Sequence, residues 1–149
     1  MPRNRGRPTA DENLLAMINR VTLSVLLLGA ATLVAAEGKK PDLSKLPPAG
    51  SQTGLTFDKD IKPVFEKSCA KCHGTEKQKG KLRLDSREAA LKGGEDGKMI
   101  LPGKSVDSPL VWSIARLDDD SAMPPKDKGD PLTKEQVGLI RAWIDQGAK

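Results

Sequence analysis

The sequence predicts an all-α fold, a small bundle of short helices joined by long loops. Three observations lead there. Apolar residues recur at helical spacing in Phe57, Ile61 and Phe65, in Leu110, Ile114 and Leu117, and in Val137, Ile140 and Ile144. No strand-rich region and no internal repeat interrupts them. Proline- and glycine-rich loops separate the periodic stretches.

The elements follow in order. Residues 21–36 (VTLSVLLLGAATLVAA) are charge-free and largely apolar, follow Arg3, Arg5, Arg7 and Arg20, and end in Val34-Ala35-Ala36. This is the form of a secretory signal peptide over residues 1–36, cleaved after Ala36. Retention as a membrane anchor is the alternative, although a span usually needs about 20 apolar residues. Residues 37–55 carry Pro41, Pro47 and Pro48 with several glycines and serines, and show neither a helical nor a strand period. They read as a flexible linker to a domain over residues 56–149.

Within that domain the first helix has its regular part starting near Lys62, with Asp60 as cap. Pro63 falls in the first turn, where its missing N–H is harmless. Residues 74–81 are a polar loop, and Leu82-Arg83-Leu84 is a short alternating segment. Asp85-Ser86-Arg87-Glu88 has the form of a capping box, opening a brief helix that Gly93-Gly94 stops. Ser108-Pro109 starts another helix by a cap followed by proline, and Thr133 with Gln136 caps a last one that leaves at Gly147.

Between the first helix and the polar loop lies Cys69-Ala70-Lys71-Cys72-His73, which joins the only two cysteines of the chain to its only histidine. C-x-x-C-H is the spacing of c-type haem attachment: the two thiols become thioethers on the porphyrin, and the adjacent imidazole reaches the iron. A thioredoxin-like redox couple wants a βαβ setting that is missing here. A structural zinc site wants four N or S ligands where the chain offers three. Cys69 and Cys72 are therefore the residues expected to hold one covalent haem c, with His73 as proximal iron ligand.

The sixth ligand follows by elimination. There is no second histidine, and only Met99 and Met123 remain once residues 1–36 are removed. Met123 is the stronger distal candidate, because Pro124 and Pro125 fix the backbone after it and reduce the entropy lost in presenting sulfur to iron. Met99, in a glycine-rich loop, suits gap-filling in an apolar shell. Met99, a lysine and an open position stand as alternatives. A His/Met pair raises the reduction potential relative to two histidines and leaves no place for a substrate, which favours a carrier over an enzyme.

Charge excludes one class of partner. The whole chain holds 25 basic and 20 acidic residues. Removing residues 1–36 takes away four arginines and two acids, leaving 21 against 18. These are interleaved rather than blocked, so nucleic-acid binding is not expected.

The stretches Phe57-x-x-x-Ile61-x-Pro63, Cys69-Ala70-Lys71-Cys72-His73-Gly74, Leu82-Arg83-Leu84-Asp85-Ser86-Arg87, Leu91-Lys92-Gly93-Gly94, Pro102-Gly103-Lys104, Met123-Pro124-Pro125, Leu132-Thr133 and Trp143-Ile144 together resemble the planctomycete-type cytochrome c domain, an offshoot of the class I c-type cytochromes. The likeness runs over residues 56–148. It implies a class I cytochrome c-like all-α fold around one haem c, His73 and Met123 as axial ligands, and electron transfer outside the cytoplasm. Arg83, Asp85 and Arg87 have two readings, orienting a propionate or capping a helix in solvent. Trp143 has two as well, a propionate hydrogen bond or a place in the core.

The expected function is that of an exported, periplasmic monohaem c-type cytochrome carrying single electrons between redox protein partners, with no enzymatic turnover. Membrane contact is expected only if the leader is retained. Lys71, Lys77, Lys79 and Lys81 would steer acidic partners. Two alternatives stand: an open-site haem protein of peroxidase-like or gas-binding character, and a haem-stabilised binding module of an exported complex. Residues 37–149 contain only Phe57, Phe65, Trp112 and Trp143 as aromatics, so the core is small and haem is expected to complete it. The haem-free chain should be unfolded or molten by NMR; a cooperative, well-dispersed spectrum contradicts this.

Overall fold

A computed structural model describes residues 40–149 of the chain. The leader expected over residues 1–36 lies outside the described residues. The described part is helical: among its residues the only extended pairings are two isolated bridges, His73 with Gln78 and Gly94 with Gly97. Among the described residues five α-helices carry the fold: α1 (Lys62–Ser68), α2 (Ala70–His73), α3 (Arg87–Lys92), α4 (Pro109–Ile114) and α5 (Lys134–Asp145). Short 3-10 turns lie at Leu43–Lys45, Lys79–Lys81 and Ser105–Asp107. Among the described residues no helix is long and apolar enough to cross a membrane.

The regular part of the first helix starts at Lys62, where the sequence suggested, but a further turn precedes it. A π-helical turn, Phe57–Ile61, runs straight into α1, and the Lys62 N–H donates to the Phe57 carbonyl five residues back. Pro63 has no N–H to give, and its ring crowds the carbonyl four residues before it; a widened turn at this point accommodates both defects. Asp60 does not cap α1. Its carboxylate instead accepts from the Thr56 N–H at 2.9 Å.

The other starts and stops are local chemistry. Thr133 and Gln136 form the expected reciprocal capping box on α5, with bonds of 2.9 and 3.2 Å. At its far end Gly147 takes φ 93°, so that the Ala148 N–H returns to the Trp143 carbonyl and the Gly147 N–H to Ile144. The α3 cap is Ser86, whose hydroxyl accepts from Ala89 N–H, one residue later than a box starting at Asp85. Asp85 is occupied by Arg83, in a two-pronged pair at 2.9 and 2.6 Å. Helix α4 ends at Ile114, short of Leu117. Ser108 does not cap it: the hydroxyl donates to Lys104 and accepts from the Leu101 N–H.

The core is built on α1, α4 and α5. Phe57, Ile61, Phe65, Val111, Ile140, Trp143 and Ile144 are buried to 2% exposure or less. The Phe57 ring lies 6.1 Å from Phe65 and 5.8 Å from Trp143, centroid to centroid. Trp143 is thus a core residue, and its indole N–H donates to the Lys149 main-chain oxygen at 2.8 Å. The same oxygen accepts from the Phe57 N–H at 2.9 Å. That donor is not free for a propionate.

The segment read as a flexible linker is packed in place. Residues 40–149 belong to one compact unit, so the domain starts well before residue 56. Residues 46–55 lie as a strap along α5. The Gly50 N–H donates to the Gly138 carbonyl at 2.9 Å, Gln146 Nε2 donates to the Gln52 carbonyl at 2.8 Å, and Leu55 is buried. A Cβ on Gly138 would stand 3.0 Å from the Pro48 carbonyl oxygen, so the bare helix face is what lets the strap come close. Arg141, 8% exposed, donates to the Pro47 carbonyl and, through Nε, to Ser105 Oγ at 3.2 Å; Ser105 in turn donates to Asp145 at 2.8 Å. Prolines leave a segment few N–H groups, but their carbonyls remain acceptors, and a buried arginine satisfies one here.

Replacing Arg141 with alanine removes that donor from a partly buried acceptor and empties a buried position. Urea denaturation should show a loss of about 2–4 kcal/mol, with faster amide exchange over residues 46–55.

Candidate haem site

Helix α1 delivers the two thiols and the imidazole. Cys69 N–H donates to the Phe65 carbonyl at 2.8 Å, which ends α1, and the N–H groups of Cys72 and His73 both return to the Cys69 carbonyl at 3.0 and 2.9 Å. One helical turn results. Positions i, i+3 and i+4 share a face of such a turn, so Cys69, Cys72 and His73 are presented together. The chain then reverses at Gly74, whose N–H donates to the Lys77 carbonyl at 2.9 Å, and comes back so that Leu84 N–H meets the His73 carbonyl at 2.8 Å. Gly74 is buried, and a Cβ there would lie 2.5 Å from the Ala70 carbonyl oxygen. No side chain fits at that reversal.

That turn forms one wall of a cavity of about 250 Å³. Cys69, Cys72 and His73 line it, and so do Met99 and Met123. The remaining wall is largely apolar: Leu82, Leu84, Leu110, Ile114, Leu132, Pro124 and Pro125. Leu82 and Leu84 are both buried with Arg83 between them half-exposed, so the alternation of that segment is real without any sheet. The five leucine and isoleucine side chains of the wall also belong to the core, whereas Phe57, Phe65 and Trp143 belong to the core alone.

The two methionines differ in their surroundings. Met99 packs against the hydrophobic core as well as lining the cavity, and its carbonyl accepts from the Leu110 N–H at 2.9 Å. Met123 lines the cavity without being part of that core packing. Its N–H donates to the Ser113 carbonyl at 3.0 Å, and Arg116 donates to the Pro124 carbonyl at 2.8 Å.

The chemistry of this donor set fits a haem c. Two thiols, an imidazole and two thioethers line one largely apolar cavity. His73 Nδ1 is buried and has no hydrogen-bond partner, which is unusual for a polar atom that only packs. Burial pushes the Cys69 thiol up to about 11, so it stays protonated at neutral pH and is a poor nucleophile. That disfavours the dithiol redox reading. Among the described residues no group of three His, Cys, Asp or Glu side chains is arranged to hold a metal ion.

Charged residues sort into two sets. Lys71 and Lys79 are exposed and line the cavity, as does Lys128, which the sequence reading passed over; Lys77 and Lys81 are exposed beside them. Among the described residues Asp96 is the one acidic side chain of the lining. Arg83, Asp85 and Arg87 do not line the cavity. Arg83 holds the Asp85 carboxyl below the usual carboxylate range through their hydrogen bonds, and Arg87 donates to the Ala148 carbonyl at 2.7 Å. The propionate role weighed for these three finds no support here.

A helical domain that brings a C-x-x-C-H turn and a methionine to one apolar cavity has the attributes of a c-type cytochrome. Residues 69–127 match the family model described as Planctomycete cytochrome C, a span that opens on Cys69 and includes Met123, and the resemblance drawn from the sequence is shown over that segment. A cytochrome c domain implies haem. No match was found among curated proteins, and none among solved structures.

Gly74→Ala should force the Ala70 carbonyl out of the motif turn. Thermal unfolding of the haem-loaded protein should report a loss of about 1–3 kcal/mol or more. A variant as stable as the parent contradicts the tight reversal.

Proposed function

We propose that the protein is an exported monohaem c-type cytochrome that passes single electrons between redox partners. Cys69 and Cys72 are its thioether attachment points, His73 its proximal and Met123 its distal iron ligand. The observation that carries this reading is the convergence of all four side chains on one apolar cavity, with Met123 free of the core packing that engages Met99. When bound, the haem supplies a one-electron couple whose potential the thioether ligand raises.

The chain's own residues supply the rest. Cys69 and Cys72 hold the group by two bonds on one helical turn, and the i, i+3, i+4 spacing sets His73 beside them. Leu82, Leu84, Leu110, Ile114 and Leu132 exclude water from the cavity and lower the local dielectric. Pro124 and Pro125 restrict the backbone next to Met123, so little entropy is lost in holding its sulfur in place. With both axial positions filled, no open coordination position is left for a substrate, which supports a carrier over an enzyme. Export and a periplasmic location rest on the leader of residues 1–36 and on the chemistry of thioether formation outside the cytoplasm.

The exposed Lys71, Lys79 and Lys128 on the cavity rim, with Lys77 and Lys81 nearby, favour acidic redox proteins as partners. Steering of this kind is screened by salt, since the Debye length falls from about 10 Å at 0.1 M to about 3 Å at 1 M.

Two measurements test the proposal. The ferric protein should show the far-red absorption band of thioether-bound iron; Met123→Ala should abolish it and admit carbon monoxide to the ferrous form, whereas Met99→Ala should keep it. Rapid carbon monoxide binding by the unaltered protein would instead support an open site. Electron transfer to an acidic acceptor protein should slow as ionic strength rises, and a salt-independent rate would remove the lysine rim from the docking surface.

A further inference from the structure

The loop that carries Met123 is tied to the end of α4 by two hydrogen bonds. One is backbone to backbone, Met123 N–H to the Ser113 carbonyl at 3.0 Å. The other comes from a side chain: Arg116 Nη1 donates to the Pro124 carbonyl at 2.8 Å, in a half-buried setting. Prolines at 124 and 125 offer no N–H of their own, so beyond Met123 these two residues can be held only through their carbonyls.

Arg116 sits where arginine is an awkward choice. Its φ is 55°, in the left-handed region where an L side chain is strained and glycine is the easy residue. Glycine would end α4 with less strain, but it could not reach Pro124. The side chain does not line the cavity itself. Its contact is with the residue next to Met123, on the side away from the motif turn in sequence.

We infer that Arg116 is a positioning residue that latches the Met123–Pro124 segment to α4 and thereby sets how readily a small competing ligand displaces Met123. The inference rests on the reading of Met123 as distal ligand. On this view the difference between a closed carrier site and an open one is held by a single charge-assisted hydrogen bond outside the cavity.

The test uses the haem-loaded protein and imidazole as the competing ligand, titrated against the ferric form. Arg116→Gly keeps the left-handed backbone cheaply and removes only the latch. It should raise imidazole affinity about ten- to a hundredfold, the range that loss of a charge-assisted hydrogen bond corresponds to, and weaken the thioether band. Arg116→Lys, which retains one N–H donor, should recover part of the parent behaviour. Arg87→Ala removes a comparable arginine-to-carbonyl bond remote from the cavity, and should lower stability without changing imidazole affinity. If the parent shows the band and Arg116→Gly binds imidazole within about twofold of it, the latch is wrong while the Met123 reading stands. If the parent lacks the band and binds imidazole as tightly as Met123→Ala, the Met123 reading fails and the latch with it.

Discussion

The contact of Phe57 with Phe65 and Trp143 decides where α1 lies against α5, and through it where everything else in the site can be. Each ring is buried, an interaction of about 1.5–3 kcal/mol per side chain, and the edge-to-face pair adds about 0.5–1.5. The Lys149 oxygen bonds to both Phe57 and Trp143 and closes the same cluster from the polar side. Phe65 is four residues before Cys69, and its carbonyl accepts the Cys69 N–H. The thiol-bearing turn is therefore an extension of an aromatic anchor.

Helix α4 couples this core to the opposite wall. Val111 faces the packed interior, Leu110 and Ile114 serve both core and cavity, and Ser113 gives its carbonyl to Met123. One six-residue helix thus sets the spacing between the side of the domain that presents cysteines and the loop that presents a methionine. The cavity is the gap left between two elements that are each fixed by contacts elsewhere.

What could be read from sequence was what local chemistry determines. The motif pentapeptide, the Thr133–Gln136 box, the turn at Gly147 and the helical stripe on α5 all depend on residues within a few positions of each other. The readings that changed are those whose partners no residue pattern announces, whether near or distant in the chain. Residues 46–55 look like a linker by composition, and only Gly138 and Arg141, some ninety positions on, make them a strap. Asp60 looked like a cap until the widened turn before Pro63 sent it to Thr56. The indole of Trp143 and the guanidinium of Arg116 gave no local sign of their acceptors, because Lys149 and Pro124 reach them only in the folded chain.

Gly74 extends the vocabulary of the motif. Attachment chemistry asks for two sulfurs and an imidazole, and is indifferent to what comes after the histidine. The backbone is not indifferent, since the Ala70 carbonyl occupies the space any side chain at position 74 would need. As a unit of folding the pentapeptide is a hexapeptide, its sixth residue set by the volume of a peptide oxygen. A C-x-x-C-H followed by a residue with a side chain would have to leave its histidine along another path, and would build a different pocket from the same three side chains.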